Sequence, residues 1–295
     1  MKNRMLNERD LRALRIFCVV AMSGGFSAAE SRLNMTKATI SRQIKSVEER
    51  LGATLCSRGP RGFELTDAGK AALIYAQEAL NALDRIFPAM DASRGIISGP
   101  LAIGFTDNII GNKATAVHTA LRQLSLMAPL VNLSLHTLNA QQLIQALLDR
   151  KLDIAVKGIM EQQKVISLRY IELYSETHRL YAVSPRNSGE NRPVVFRQNQ
   201  AFVAESIAVL GYPKGPEATG IEAVAMLIAT GQYVGILPSH YAELLRPMLP
   251  LEAIPGTPSW EIKHYAVTHA AYPLSLAAET MLELLVSAHR PSAQA

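Results

Sequence analysis

Apolar residues recur at helical spacing in three short stretches near the start of the chain. Leu11, Leu14, Phe17/Cys18 and Ala21 give a first helix one buried face, capped by Asn7 with Asp10 three residues on and ended by Gly24-Gly25. Ser27-Ala28-Ala29-Glu30 has the form of a capping box, with the Ser27 hydroxyl turned to the N3 amide and the Glu30 carboxylate turned back to the Ser27 amide. It predicts a short second helix to about Leu33, with Ala28 and Ala29 small enough for another helix to approach closely. Asn34-Met35 makes a break, and Thr36 caps a third helix whose Ile40, Ile44, Val47 and Leu51 form an apolar stripe. The opposite face carries Lys37, Thr39, Ser41, Arg42, Gln43 and Lys45.

The pattern then changes period. The run from Leu55 to Thr66 reads as strand, glycine-rich basic turn, strand, with Gly59-Pro60 and Gly62 supplying turn geometry and Arg58 and Arg61 projecting charge. Thr66 or Asp67 caps a long helix to about Phe87, whose stripe of Leu73, Ala76/Gln77, Leu80, Leu83 and Phe87 needs a partner. Small residues from Ser93 to Gly99, followed by Pro100, mark a hinge. Beyond it, strand-like Leu101–Phe105, Val131–His136 and Leu152–Val156 alternate with helical segments after Asn112 and over Gln141–Leu148, a βαβαβ order that predicts a parallel sheet with helices on its faces. A second set follows: strands at 179–184 and 201–204, a helix from Ile221 to Thr230, and a strand from Tyr233 to Leu237.

Charge sharpens the division. Residues 1–70 hold thirteen Lys and Arg against seven Asp and Glu, whereas the remainder holds seventeen against eighteen. A positive head on a neutral body suits attraction to a phosphate backbone, where each neutralised phosphate releases a counterion. Cys18 and Cys56 form no CxxC or Cys/His pairing, so neither a disulfide framework nor a zinc site is supported, and a reducing, cytoplasmic setting fits. Arg12 and Arg15 before the apolar run Ile16–Met22 mimic a signal peptide, but Glu8 and Asp10 interrupt the basic region and the run has helical periodicity. No apolar run approaches the ~20 residues of a membrane span, so no membrane partner is expected.

A short helix, a tight turn and a helix with hydrogen-bonding side chains near its N-terminus are the parts of a helix-turn-helix, and the following hairpin is its wing. The major groove admits one such helix. Arg42 and Lys37 can donate to guanine O6/N7, and Thr39 and Thr36 can touch a thymine methyl or a phosphate. Ser27, Ala38, Ser41, Lys45, Arg58 and Arg61 complete the DNA-contacting set. In the body, ligands of open α/β sheets sit beyond the carboxyl ends of the strands, which gathers Thr106, Asp107, Asn108, Thr137, Asn139, Lys157 and Gly158 around one crevice. If Thr106 opens the next helix, its hydroxyl favours an anionic group; Lys157 would assist and Asp107 would oppose.

The run Leu11–Gly69 resembles the DNA-binding region of the LysR-type transcriptional regulators at Phe26–Glu30, Leu33, Ile40–Ile44, Glu48, Leu51-Gly52, Leu55, Arg58, Leu65-Thr66 and Ala68-Gly69. It departs from the family's common Gln and Pro after the capping hydroxyl, having Lys37 and Ala38 there. Leu152–Ala155, Leu173–Glu176 and Gly231–Pro238 with His240-Tyr241-Ala242 look like the effector-binding half of the same family. The resemblance implies an α/β protein with a winged helix-turn-helix over 1–65, a linker and dimerisation helix over 66–92, a hinge over 93–99 and a periplasmic-binding-protein-like domain over 100–290. That domain would have two α/β subdomains, 100–166 with 266–290 and 167–265, crossing near Ile166 and Tyr265. Implied partners are a double-stranded operator, a second copy of the chain in a homodimer or homotetramer, a small-molecule effector and RNA polymerase; no cofactor is implied.

Competing classes fare worse against the residues. GxSxG, P-loop, HExxH and GxGxxG-after-strand patterns are missing from the sequence, so no catalytic set is assembled. An architectural DNA-binding protein would not need a bilobal pocket, and a ligand receptor without transcriptional output would not carry a basic helix-turn-helix.

Overall fold

The computed structural model describes residues 5–59, 62–160, 163–183, 192–197, 203–204, 208 and 211–290. The chain divides into Met1–Met90 and Asp91–Ala295. In the first unit, α1 (Glu8–Met22), α2 (Phe26–Leu33) and α3 (Lys37–Leu51) precede the hairpin β1 (Cys56–Gly59) and β2 (Gly62–Leu65), and α4 (Asp67–Asp84) follows. Asn7 caps α1 in a full capping box with Asp10. Phe17, Ile40, Ile44, Val47 and Leu55 are at most 1–2% exposed and form the centre of one core. Each such side chain contributes roughly 1.5–3 kcal/mol by burial. Leu51 departs from the expected stripe and is 42% exposed, because α3 ends there and Gly52 turns the chain at φ 70°.

One acidic residue and one hydroxyl in this basic unit serve the backbone. Glu48 on α3 accepts the amides of Leu55 at 2.7 Å and Cys56 at 3.4 Å, which fixes where the wing begins. The wing's far side is fastened by Thr66, whose hydroxyl donates to Thr54 O at 2.6 Å while accepting the Gly69 amide that starts α4 at 2.9 Å. A Cβ at Gly69 would lie 1.8 Å from Leu55 O, so the helix can meet the strand only with glycine at this position.

The long helix expected to Phe87 is broken. α4 stops at Asp84 and α5 (Ile86–Ala92) restarts it, because Pro88 has no N–H to offer the Asp84 carbonyl and its ring crowds that group. The inner face of α4 contributes Ala76 and Leu80 to the core, while Ile74, Tyr75, Ile86, Phe87 and Met90 stand more than half exposed.

The second unit is built on a seven-stranded sheet of order β10 (Leu251–Ala253), β6 (Leu168–Val183), β11 (Trp260–His269), β5 (Ile154–Ile159), β3 (Ser98–Phe105), β4 (Leu130–Thr137), with β9 (Gly235–Pro238) also paired to β6. Its first lobe is β3 (Ser98–Phe105), α6 (Val117–Met127), β4 (Leu130–Thr137), α7 (Ala140–Leu148) and β5 (Ile154–Ile159), with α10 (Leu276–His289) packed on it. β3 pairs in parallel with both β4 and β5, as the βαβαβ order requires. The first helix begins at Val117, later than expected, after a turn-rich loop over 106–116. Two long strands carry the chain between lobes: β6 (Leu168–Val183), which extends the expected strand by eleven residues, and β11 (Trp260–His269), antiparallel to it with a bulge at His264/Tyr265. The second lobe adds β7 (Val194–Arg197), β8 (Lys214–Ala218), α8 (Ile221–Ala229), β9 (Gly235–Pro238), α9 (Ser239–Leu245) and β10 (Leu251–Ala253). Of the strand expected at 201–204, the two described residues, Val203 and Ala204, are helical.

Gly69→Ala is expected to cost ~3 kcal/mol, an overpacking penalty against immovable backbone, and to lower the melting of the first unit in differential scanning calorimetry. A thermogram matching the wild type would mean that α4 and the wing do not meet at Leu55.

Candidate functional site

On α3, Lys37, Ala38, Ser41, Arg42 and Lys45 occupy the side opposite the buried Ile40, Ile44 and Val47, and all but the half-buried Ser41 are exposed. Thr36 caps the helix, its Oγ1 accepting the Thr39 amide at 3.3 Å and lying 2.9 Å from Thr39 Oγ1, so both hydroxyls are tied together at the helix start. The basic side chains therefore project from a helix whose register is fixed.

The capping box expected at Ser27–Glu30 does not form. Gly25 at φ 146° caps α2, which starts at Phe26, two residues earlier than expected and with no side-chain cap, and the two box residues turn to α3 instead. Glu30 Oε1 accepts the Lys37 amide at 2.6 Å, and Ser27 Oγ accepts from Lys37 Nζ at 3.1 Å. The same two side chains thus join one helix to the next rather than closing their own. β1 and β2 pair antiparallel as the expected wing hairpin, Cys56↔Leu65 through Gly59↔Gly62, and residues 60–61 of its turn lie outside the described residues. Arg58 lies on β1, and Arg61 falls outside the described residues.

In the second unit a cavity of about 470 Å³ opens between the lobes. Thr106, Asn108, Thr137, Asn139 and Gly158 line it as expected, with Asp107. Thr106 starts no helix, so it offers a hydroxyl without a helix terminus behind it. The Asn139 side-chain oxygen is engaged in capping α7, accepting from Gln141 and Gln142. Lys157 is a correction: strand alternation puts its neighbour Gly158 at the cavity, and Lys157 itself is 5% exposed, outside the lining, with its pKa lowered to about 8 by burial. Gly158 leaves room for a ring, since a Cβ there would come within 3.1 Å of His264 Cε1 and Nε2.

The most highly charged part of the cavity was not anticipated. Glu176, His178, Arg197, His240 and His264 line it from β6, β7, α9 and β11. Glu176 Oε1 lies 2.6 Å from His178 Nε2 and 3.8 Å from His264 Nε2, and Oε2 lies 3.7 Å from His240 Nδ1. Asn112 Nδ2 donates to Oε2 at 3.2 Å. Burial alone would raise the Glu176 carboxyl, but the His178 hydrogen bond and the fields of His264, His178 and His240 more than offset it and hold the group at about 2. Burial pushes His178 and His264 downward, favouring their neutral forms. Arg197 is lowered to about 10 by burial, against the attraction of Asp107 and Glu176. Tyr174 stacks on His264 at 4.6 Å and on His289 at 5.3 Å, which holds the His264 ring in place. The signal in the sequence was period-two spacing of Tyr174, Glu176 and His178 along one strand; His240 and His264 join them only through the tertiary fold. Among the described residues no group of His, Cys, Asp and Glu is placed to hold a metal ion, and no single helix is long and apolar enough to cross a membrane.

Residues 11–70 match the family model described as bacterial regulatory helix-turn-helix protein, lysR family, and residues 94–290 match that of the LysR substrate binding domain. The HTH-type transcriptional activator BauR of Pseudomonas aeruginosa is 30% identical over 264 residues, covering 83% of this chain and 86% of that protein. The SDS degradation transcriptional activation protein of a Pseudomonas species is 30% identical over 97% of this chain and 99% of its own length. Full-length CbnR complexed with its target DNA has a similar fold, with a TM-score of 0.67 at 19% identity over 94% of this chain and 99% of that one.

Glu176→Gln is expected to lower the denaturant midpoint at pH 7. A carboxyl held at about 2 instead of its ordinary 4.5 stabilises the fold above 4.5, and that stability is lost as pH falls toward 2. The gap between variant and wild type should therefore narrow across that window, and a gap constant with pH would contradict the network.

Proposed function

The chain belongs to the LysR family of DNA-binding transcriptional regulators with an effector-binding domain, and on that premise we propose how its own residues divide the work. α3 reads base edges. The observation that carries this reading is the basic, exposed face of Lys37, Arg42 and Lys45 opposite a fully buried stripe, on a helix pinned at its start by Glu30 and Thr36. Arg42 and Lys37 donate to guanine edges; Ser27, Thr36, Thr39 and Ser41 serve phosphates or thymine methyls, Ala38 lies against the groove, and Lys45 with Arg58 and Arg61 of the wing holds flanking backbone. Lys37 arrives at the groove already steadied by Ser27.

Two separate apolar surfaces support self-association. Ile74, Tyr75, Ile86, Phe87 and Met90 on the 66–92 segment would pair two copies, and Leu126 and Met127 of α6 with Leu130 and Leu135 of the edge strand β4 offer a second face. Two independent faces build a dimer of dimers, and the paired reading helices call for half-sites about 34 Å apart, or a multiple of that, on a dyad operator. The cavity between the lobes holds a small-molecule effector, for which Thr106, Asn108, Thr137, Asn139 and Gly158 supply polar contacts and close backbone approach. No cofactor enters this reading; the regulator acts in the cytoplasm, at the promoter, with RNA polymerase as the recipient of its output.

Gel shifts at defined salt test the division. The wild type should prefer a selected dyad operator over random DNA by at least about 10³, and Arg42→Ala should lose about 1–3 kcal/mol on the operator while changing little on random DNA. Equal losses on both would remove Arg42 from base reading. Thr106→Val should leave operator affinity unchanged and blunt the response of a promoter–reporter fusion in cells to its inducing growth condition; a full response would exclude Thr106 from the effector site.

A further inference from the structure

The loop over 106–116 leaves the first lobe after β3, skirts the cavity and is fastened to groups outside that lobe at two points. His240, on α9 of the second lobe, hydrogen-bonds through Nε2 to the Asn108 carbonyl at 3.0 Å. Asn112, itself buried, donates to Glu176 on the crossing strand β6 at 3.2 Å, while its own Oδ1 accepts the Ala114 amide at 2.9 Å and holds the loop's turn. The loop also lies flat on α9, since a Cβ at Gly111 would stand 3.2 Å from Leu244 Cδ2. Asn108 takes φ 61°, a left-handed conformation that asparagine adopts more readily than other non-glycine residues.

The chemistry at His240 makes this fastening depend on a proton. Nε2 faces a carbonyl and Nδ1 faces the Glu176 carboxylate 3.7 Å away, and both of those groups only accept. A neutral imidazole has one N–H and must turn a lone pair toward one of them; the imidazolium donates to one and attracts the other. Three rings surround Glu176: His178 on β6, His264 on β11 and His240 on α9. The first two have side chains only 4% and 5% exposed, so charging either strands a cation in the interior, whereas the His240 side chain keeps 13% of its surface in water. The remaining charged groups at the cavity, Asp107 and Arg197, offset one another.

We infer that His240, Glu176 and loop 106–112 form a proton-dependent latch between the two lobes, fastened when His240 is charged and loosened when it is neutral. Its consequence for effector capture rests on the reading of the cavity given above: a loosened loop leaves the lobes freer to part, so acidity and effector would act on one joint. The latch itself rests on the bonds just described.

Hydrogen–deuterium exchange of the full chain, with no added ligand, tests it. After correction for intrinsic exchange, the protection of loop 106–116 should fall at least about threefold from pD 6 to pD 8, while α7, in the same lobe, stays constant. His240→Gln keeps a side-chain amide able to donate to Asn108 but cannot be charged, and its loop protection should be the same at both values. Equal protection of the wild-type loop at pD 6 and 8 overturns the inference, as does a fall shared by α7 or one that persists in His240→Gln. Should His240→Gln fail to fold, the wild-type profile decides alone. Because no effector is present, failure of the effector reading would leave these outcomes unchanged.

Discussion

The reading role proposed for α3 depends on one short hydrogen bond, from the Lys37 amide to the Glu30 carboxylate at 2.6 Å. A helix N-terminus leaves amides without partners, and in α3 the first of them is met from the preceding helix rather than from α3's own cap. The angle between α2 and α3 is thereby fixed at the point where, on the proposed reading, side chains enter a groove. A charge-assisted bond of this kind is stronger than a neutral one, and it explains why an acidic residue persists in the middle of a basic surface. Glu48 performs the matching task at the other end of α3, where it sets the start of the wing.

Helix, turn and wing were legible because their signals are local. The Asn7–Asp10 box, the Thr36 cap and the stripe of Ile40, Ile44 and Val47 each lie within a few residues, and the structure has them as the pattern implies. Ser27 and Glu30 misled because the box pattern specifies donors and acceptors without specifying which helix they serve. A glycine pair able to start α2 two residues sooner released both for α3. Pro88 lies just past the apolar stripe, whose periodicity alone says nothing of a break; its missing N–H decided where α4 ends.

The cavity was half legible for a topological reason. Its first-lobe wall comes from consecutive strand ends, so counting βαβαβ units found Thr106, Asn108, Thr137, Asn139 and Gly158. Lys157 failed by one residue, since a step along a strand reverses the face. The opposite wall is assembled from β6, β7, α9 and β11, segments far apart in sequence, and beyond the period-two spacing of Glu176 and His178 no pattern announces that His240 and His264 share the same carboxylate. The two halves of the chain therefore differ in kind: the first is specified by short-range caps and a stripe, the second by long strands that carry residues between lobes.

The central claim is that α3 presents its basic face to base edges, twice, in a symmetric assembly. Selection of fragmented genomic DNA by the purified full-length chain at moderate salt, followed by sequencing, tests it most directly. Enrichment of a few fragments sharing an inverted repeat with half-sites one turn or a multiple apart is the predicted result. Recovery that merely mirrors the input, with no shared motif, would contradict it.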